Sequence, residues 1–269
     1  MTTNVVFSEP PDISEPYLFC IYCGAIDDLT DEHVVPYGLS GEHILKKASC
    51  KNCASVTTKF ERDVLRNMVA VVRAKLNLKT RRKKERPTAF NLGIGRGEER
   101  RNICVPVDQH PGVFAMPVYA PAKRLNKLPG PMLPPVTDVM LGYDRDLLTD
   151  YAEGQVSVDI AVPNTHDLAS LPRMIAKIGY CFAISCIPAE HWEVLYPISA
   201  ILGTSNDVHD IVGASLDPID GTDDGLHQMI MEQTGDDMTV FLRLFPALGT
   251  PWYHVVVGRL HPEGELPLS

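Results

Sequence analysis

The sequence lacks any apolar run close to the roughly 18 to 20 residues that a membrane-spanning helix needs. Its first residues also lack the charged start and apolar stretch of a secretory signal peptide. Aromatic residues are few, at 7%, but the hydrophobic total of 45% is ordinary for a globular protein. We therefore expect a soluble, cytoplasmic protein that has no membrane partner.

Cysteine is scarce, with seven in 269 residues, which excludes a disulfide-stapled scaffold. Four of the seven form two Cys-x-x-Cys pairs, Cys20/Cys23 and Cys50/Cys53. Two thiolates at this spacing can point at one ion, and two such pairs complete the tetrahedral sulfur set of a structural zinc site. No βαβ pattern surrounds either pair, which argues against a redox dithiol. The spacing predicts structural zinc, and a coincidental set of buried cysteines is the alternative.

The chain as a whole has no excess of positive charge, because its net charge is −9. The charges are nevertheless unevenly distributed, because residues 44–101 contain 17 Lys and Arg against 5 Asp and Glu, whereas the remainder contains 8 against 29. Six cations of this block, which we call the basic strip, are Lys79, Arg81, Arg82, Lys83, Lys84 and Arg86. We interpret the basic strip as a set of phosphate contacts to nucleic acid. A solvated basic linker is the alternative.

The segment DEHVVP, residues 31–36, lies between the two cysteine pairs. A neutral imidazole such as that of His33 can take a proton from water near pH 7. A neighbouring carboxylate such as that of Glu32 can hold a hard divalent cation through oxygen. Such an ion would stabilise the charge that develops on a cleaved phosphodiester. The adjacency of the two residues favours a hydrolytic site, and a surface or structural histidine is the alternative.

These motifs occur in one order: Cys-x-x-Cys, Asp-Glu-His-Val-Val-Pro, Gly-Leu-Ser-Gly, Ala-Ser-Cys-x-x-Cys and Thr-x-x-Phe-Glu. The series resembles the HNH endonuclease family in its zinc-containing ββα-metal form, over residues 17–66. The resemblance implies that His33 is the general base and that Glu32 and Glu61 bind a catalytic divalent ion, Mg²⁺ or Mn²⁺. It also implies that the four paired cysteines bind structural zinc. The substrate implied is nucleic acid, DNA rather than RNA.

The chain departs from this family directly after the last paired cysteine. Family members usually have Asn or His there, whereas this chain has Ala54, which cannot bind a metal or hold the active-site loop. Asn52, inside the second cysteine pair, is the nearest substitute. The departure supports an alternative function, a zinc-dependent nucleic-acid-binding or interaction module that is catalytically weak or inactive.

The whole sequence predicts an α+β protein in two folded parts. We expect a flexible lead-in over residues 1–16, which are rich in proline and acidic side chains. We expect the zinc-bound HNH-like domain with its basic strip over residues 17–90, and an α+β domain with antiparallel strands over residues 103–269. The acidic second domain is the candidate surface for a protein partner or for a second copy of the chain.

Apolar residues at spacings of three and four predict a helix over residues 55–76, with Ser55 as its N-cap, and a buried helix over residues 167–187. Lys177 is the only strong charge deep within the second helix. Three further cysteines are expected in the core: Cys104, Cys181 and Cys186.

Several strands are predicted in the second half of the chain. Alternation predicts a strand over residues 156–162, and residues 194–203 predict a strand followed by a turn. Three apolar segments between residues 226 and 260 are separated by turn residues, which predicts an antiparallel meander.

Overall fold

The computed structural model of this protein describes residues 15–94, 101–125, 136–142, 144–151, 169–205, 207–215 and 225–261. These residues form a mixed fold of helices and antiparallel sheets, as the composition predicted. The strand predicted over residues 156–162 and nearly all of the lead-in lie outside the described residues. Within them, no helix combines the length and the apolar character required to cross a membrane.

The N-terminal part consists of an antiparallel hairpin followed by a helix, and we call it the hairpin–helix unit. Its elements are strand β1, Leu29–His33, strand β2, Ile44–Cys50, and helix α1, Lys51–Asp63. The prediction that the helix starts at Ser55 was wrong, because Cys50 is extended and directly precedes the first helical turn, which contains Cys53. The second cysteine pair is therefore fixed by regular backbone.

The helix predicted to continue to residue 76 is interrupted. A π-helical turn, Val64–Met68, separates α1 from helix α2, Ala70–Lys75. The guanidinium of Arg73 donates to the carbonyl of Leu65, at 2.9 Å, and to the carbonyl of Gly38, at 2.6 Å. Arg73 therefore ties α2 to the loop that follows β1.

The remaining strands are short and antiparallel. Strand β3, Ala89–Ile94, pairs with β4, Arg101–Pro106, and strand β5, Phe114–Tyr119, pairs with β6, Val136–Gly142. A five-stranded sheet contains β7, Trp192–Leu195; β8, Val212–Ser215; β9, His227–Thr234; β10, Asp237–Leu244; and β11, Trp252–Leu260. Strands β9, β10 and β11 confirm the predicted meander, and β11 also pairs with β7 and β8.

Two short helices accompany these strands. Helix α3, Arg145–Asp150, follows β6. Farther along the chain, β7 leads into a second short helix, Pro197–Leu202. The turn predicted for this second segment was therefore wrong. Proline suits the first position of a helix, and Gly203 ends the helix in the left-handed conformation, at φ 75°.

The centre of the molecule is helix α4, Ser170–Cys186, which confirms the predicted helix over the described residues. Of its 17 residues, 15 are buried, so the helix is covered on nearly every side. It packs against α1 on one side and against β10 and β11 on another. One apolar core therefore extends from the hairpin–helix unit to the five-stranded sheet.

The contact between α4 and β11 leaves no room for a side chain at Gly179. A Cβ there would lie 2.8 Å from the Val255 side chain. We expect Gly179→Ala to destabilise the protein by about 1 kcal/mol, measured by urea unfolding at constant m-value. Overpacking costs about 1–3 kcal/mol and outweighs a helix-propensity gain of about 1 kcal/mol.

The Val255→Ala background is the control for this prediction. Removal of the opposing side chain should make Gly179→Ala neutral or stabilising. Fully additive effects of the two substitutions would contradict the close packing of α4 on β11.

Candidate functional site

The four paired cysteines converge on one point. The Sγ atoms of Cys20, Cys23, Cys50 and Cys53 all lie within 4.8 Å of one another, and all four residues are free thiols. The Sγ atoms of Cys23 and Cys50 are 3.7 Å apart. Tetrahedral zinc with bonds of about 2.3 Å to sulfur requires sulfur separations of about 3.8 Å. In the described part of the chain this is the only such cluster of metal-ligating side chains, and it fits a structural metal such as zinc.

Backbone geometry shapes both cysteine pairs. Gly24 adopts φ 75°, and its N–H donates to the Cys20 carbonyl at 2.8 Å, which closes the first turn tightly. At the second pair, the backbone N–H of Cys53 donates to the Cys50 sulfur and lowers the pKa of that thiol to about 7. A helix N-terminus stabilises the thiolate, which is the form that binds metal.

Strand β1 ends with two of the predicted site residues. The register between β1 and β2 shifts between Thr30 and Glu32, where Lys47 adopts a left-handed backbone conformation at φ 52°. Such irregularities re-aim side chains. Glu32 is only 7% exposed, whereas His33 is partly exposed. The carboxylate of Glu32 is therefore buried, while the imidazole of His33 is accessible to solvent.

Glu32 and Glu61 meet at one cation, and that cation is the ammonium group of Lys177 on α4. The Nζ atom lies 2.8 Å from Oε1 of Glu32 and 3.0 Å from Oε1 of Glu61. It also donates to the His33 carbonyl and, at 3.4 Å, to the Val34 carbonyl. The contact with Glu61 is a close ion pair rather than a well-aligned hydrogen bond. The ammonium therefore holds the end of β1 and the helix α1 together.

The protonation of this cluster follows from its burial and its charges. Burial by itself lowers the pKa of Lys177, but the carboxylates of Glu32 and Glu61 outweigh it and raise that pKa above its ordinary value. Lys177 is therefore a cation. Burial raises the pKa of Glu61, and the charge of Glu32 adds to this effect while Lys177 opposes it. Because the cluster holds one ammonium and two carboxylates, removal of Lys177 would leave two desolvated acids without a cation.

The two carboxylates do not fit a divalent ion in this arrangement. An ammonium has no lone pair and cannot be a ligand, yet Lys177 occupies the space between both carboxylates. Ala54 contributes no ligand atom, and Asn52 is exposed on the first turn of α1. Mg²⁺ requires near-octahedral oxygen coordination at about 2.1 Å. The predicted Mg²⁺ or Mn²⁺ ion has no support in these contacts.

The imidazole of His33 remains available for chemistry or for ligand contact. Its ring centroid is 5.7 Å from that of Tyr37, edge to face, and the guanidinium of Arg81 lies 5.7 Å from the same Tyr37 ring. Partial burial lowers the pKa of His33, and the cations of Lys177 and Arg81 lower it further. The imidazole is therefore neutral at pH 7, which is the form a general base requires.

The basic strip continues from Arg81 along the surface. Three of its cations form polar contacts with other side chains: Lys79 with Glu42, Arg82 with Glu85, and Arg86 with Asn77. Arg81, which lies over the Tyr37 ring, is exposed, and so are Lys83 and Lys84. Exposed ion pairs contribute only about 0–1 kcal/mol, so phosphate groups can compete for these side chains.

Sequence reasoning did not assign Lys177 to the site, although one signal was present. A lysine inside an otherwise apolar buried helix requires charged or polar partners. Those partners lie more than 100 residues away along the chain, so only the folded structure identifies them. The prediction that Cys104 lies in the core was wrong, because Cys104 is exposed, whereas Cys181 is fully buried.

The first test concerns the metal. We expect the purified protein to contain about one zinc per chain by elemental analysis, and Cys53→Ser to lose it because the remaining sulfur set is incomplete. Structural zinc contributes on the order of 10 kcal/mol to small zinc domains, so the variant should also unfold at a lower temperature. Cys104→Ser, which changes an exposed thiol outside the cluster, is the matched control. Full zinc content in Cys53→Ser would contradict the site.

The chain was compared with protein-family models, with curated proteins and with solved structures, and none of them matches it.

Proposed function

We propose that this protein binds the sugar–phosphate backbone of nucleic acid on the surface that contains His33, Tyr37 and the basic strip. The observation that carries the proposal is the continuous arrangement of His33, Tyr37 and Arg81, in which both contacts to the Tyr37 ring measure 5.7 Å. This arrangement connects the end of β1 to the exposed cations Lys83 and Lys84. The resemblance to the HNH family favours DNA over RNA.

The charge distribution supports binding on this face in particular. Lys and Arg at phosphate groups provide an affinity that is independent of sequence and sensitive to salt. The chain outside residues 44–101 is strongly acidic, with 29 Asp and Glu against 8 Lys and Arg. An acidic body repels phosphates, so nucleic acid is directed to the basic block.

In the function that the geometry supports best, the surface formed by His33, Tyr37 and the basic strip holds nucleic acid without cutting it. Two features favour this function. Ala54 stands where the HNH family usually has a polar residue, and Lys177 already forms ion pairs with both Glu32 and Glu61. The cysteine cluster, with its metal, then stabilises a binding surface.

The second candidate is an HNH-type endonuclease, and His33 is the observation that favours it. A neutral, partly exposed imidazole can accept a proton from a water molecule that attacks phosphorus. Arg81, whose guanidinium lies 5.7 Å from the Tyr37 ring, can stabilise negative charge on the phosphate oxygens. The metal-dependent mechanism, in which Glu32 and Glu61 hold Mg²⁺ or Mn²⁺, further requires displacement of Lys177.

The binding proposal predicts a specific salt dependence. We expect Lys83→Ala/Lys84→Ala to weaken duplex DNA binding and to reduce the slope of log K against log[salt] by about 1.8, because each phosphate contact on duplex DNA contributes about 0.9. Fluorescence anisotropy of labelled duplexes between low and moderate salt measures both quantities. Arg145→Ala is the control, since Arg145 is an exposed cation of α3. An unchanged slope in the double variant would remove the basic strip from the interface.

Cleavage is tested separately with supercoiled plasmid in the presence of Mg²⁺ or Mn²⁺. We expect the zinc-loaded protein to bind the plasmid and to leave it supercoiled, because Glu32 and Glu61 hold no metal ion that could stabilise the leaving oxygen. Gel electrophoresis over time detects nicking. Nicking that disappears in His33→Ala would establish the endonuclease in place of the binding module.

A further inference from the structure

We infer that the ammonium of Lys177 is a built-in replacement for a divalent cation, so that Glu32 and Glu61 bind neither Mg²⁺ nor Mn²⁺ in the folded protein. The inference concerns the metal chemistry of the two carboxylates. It holds whether or not the protein binds nucleic acid.

The ammonium of Lys177 lies where a divalent ion bound to both carboxylates would have to lie. Both carboxylate oxygens, at 2.8 and 3.0 Å from Nζ of Lys177, face the same point. A metal ion bonded to these oxygens at about 2.1 Å would lie in contact with the ammonium group. Two positive charges at that separation repel each other strongly in a buried site. The ion and the ammonium therefore cannot occupy the cluster together.

The ammonium is held there by backbone groups as well as by charge. Lys177 donates to the carbonyls of His33 and Val34, which lie at the end of β1 and directly after it. Its side chain is 0% exposed, so no solvent-filled path lets the amine move aside. A lysine that only paired with the two acids could change its rotamer, whereas Lys177 also donates to two backbone carbonyls.

The helix that carries Lys177 is also held in place on two sides. One turn further along α4, the Tyr180 hydroxyl donates to the Ile21 carbonyl, and the Cys181 sulfur lies 3.4 Å from the Tyr22 hydroxyl. These contacts fix α4 against the first cysteine pair. On the other side, Gly179 packs directly against β11. These contacts on both sides hold α4, and with it the backbone of Lys177, in place.

The charge of the cluster indicates what removal of the ammonium would do. Glu32 is 7% exposed, and the side chain of Glu61 is 18% exposed, so neither carboxylate is well solvated. Without Lys177 they would be two desolvated acids that face each other across an empty space. A divalent cation supplies the missing charge and accepts carboxylate oxygens as ligands. Lys177→Met, which nearly preserves side-chain volume, should therefore convert the cluster into a metal site.

Mn²⁺ binding to the full-length, zinc-loaded protein tests the inference without nucleic acid. Electron paramagnetic resonance of free Mn²⁺ counts the bound ions at millimolar concentrations. In the wild-type protein we expect Glu61→Gln to leave Mn²⁺ binding unchanged, because any bound ion lies elsewhere on the acidic surface. In Lys177→Met we expect an additional site at least tenfold tighter than any in the wild type, which disappears in Lys177→Met/Glu61→Gln.

Lys79→Met is the matched control, because Lys79 has a single exposed carboxylate partner, Glu42, and its removal should create no such site. A wild-type Mn²⁺ site that Glu61→Gln abolishes would overturn the inference, and this comparison remains decisive even if Lys177→Met does not fold. A folded Lys177→Met protein with no added Mn²⁺ site would also overturn it. Since the measurement contains no DNA, its failure is distinct from failure of the binding proposal.

Discussion

The structure depends on one buried ion cluster, in which the ammonium of Lys177 lies between the carboxylates of Glu32 and Glu61. Each group is costly to bury alone, and the ion pairs with Lys177 offset part of that cost. They come from β1, α1 and α4, so their meeting fixes how the hairpin–helix unit sits on the rest of the protein. Apolar packing tolerates small shifts between elements, whereas a shift that separates a desolvated charge from its partner is costly.

The cysteine cluster and the ion cluster both constrain the hairpin–helix unit, but they join residues at very different separations along the chain. The four thiols join residues that are at most 33 positions apart, and they hold the hairpin to the start of α1. Lys177, Tyr180 and Cys181 join that unit to a helix from the second half of the chain. The first constraint is local and joins four thiols that fit a structural metal, while the second is long-range and joins side chains of α4 to the unit. Together the cysteine cluster and the ion cluster fix the position of His33 at the end of β1.

In the proposed function, nucleic-acid binding and metal binding belong to different groups of side chains. The groups that reach the surface, His33, Arg81, Lys83 and Lys84, are neutral or positively charged and suit a phosphate backbone. The carboxylates that resemble ligands of a catalytic ion are buried and already neutralised in part. Under the proposed function, a surface that binds nucleic acid is combined with two carboxylates that are paired with Lys177 and hold no metal ion.

The sequence by itself determined the sulfur set, the strip of cations, the buried helix and the β9–β11 meander, because each is a local pattern with a fixed period or spacing. It also indicated that Glu32 and Glu61 would face one cation. Only the tertiary structure decided which cation that is. Lys177 lies more than 100 residues from either acid along the chain, and no periodicity links the three positions. The pairing follows from packing of α4 against α1, and long-range packing of this kind leaves no local pattern in the sequence.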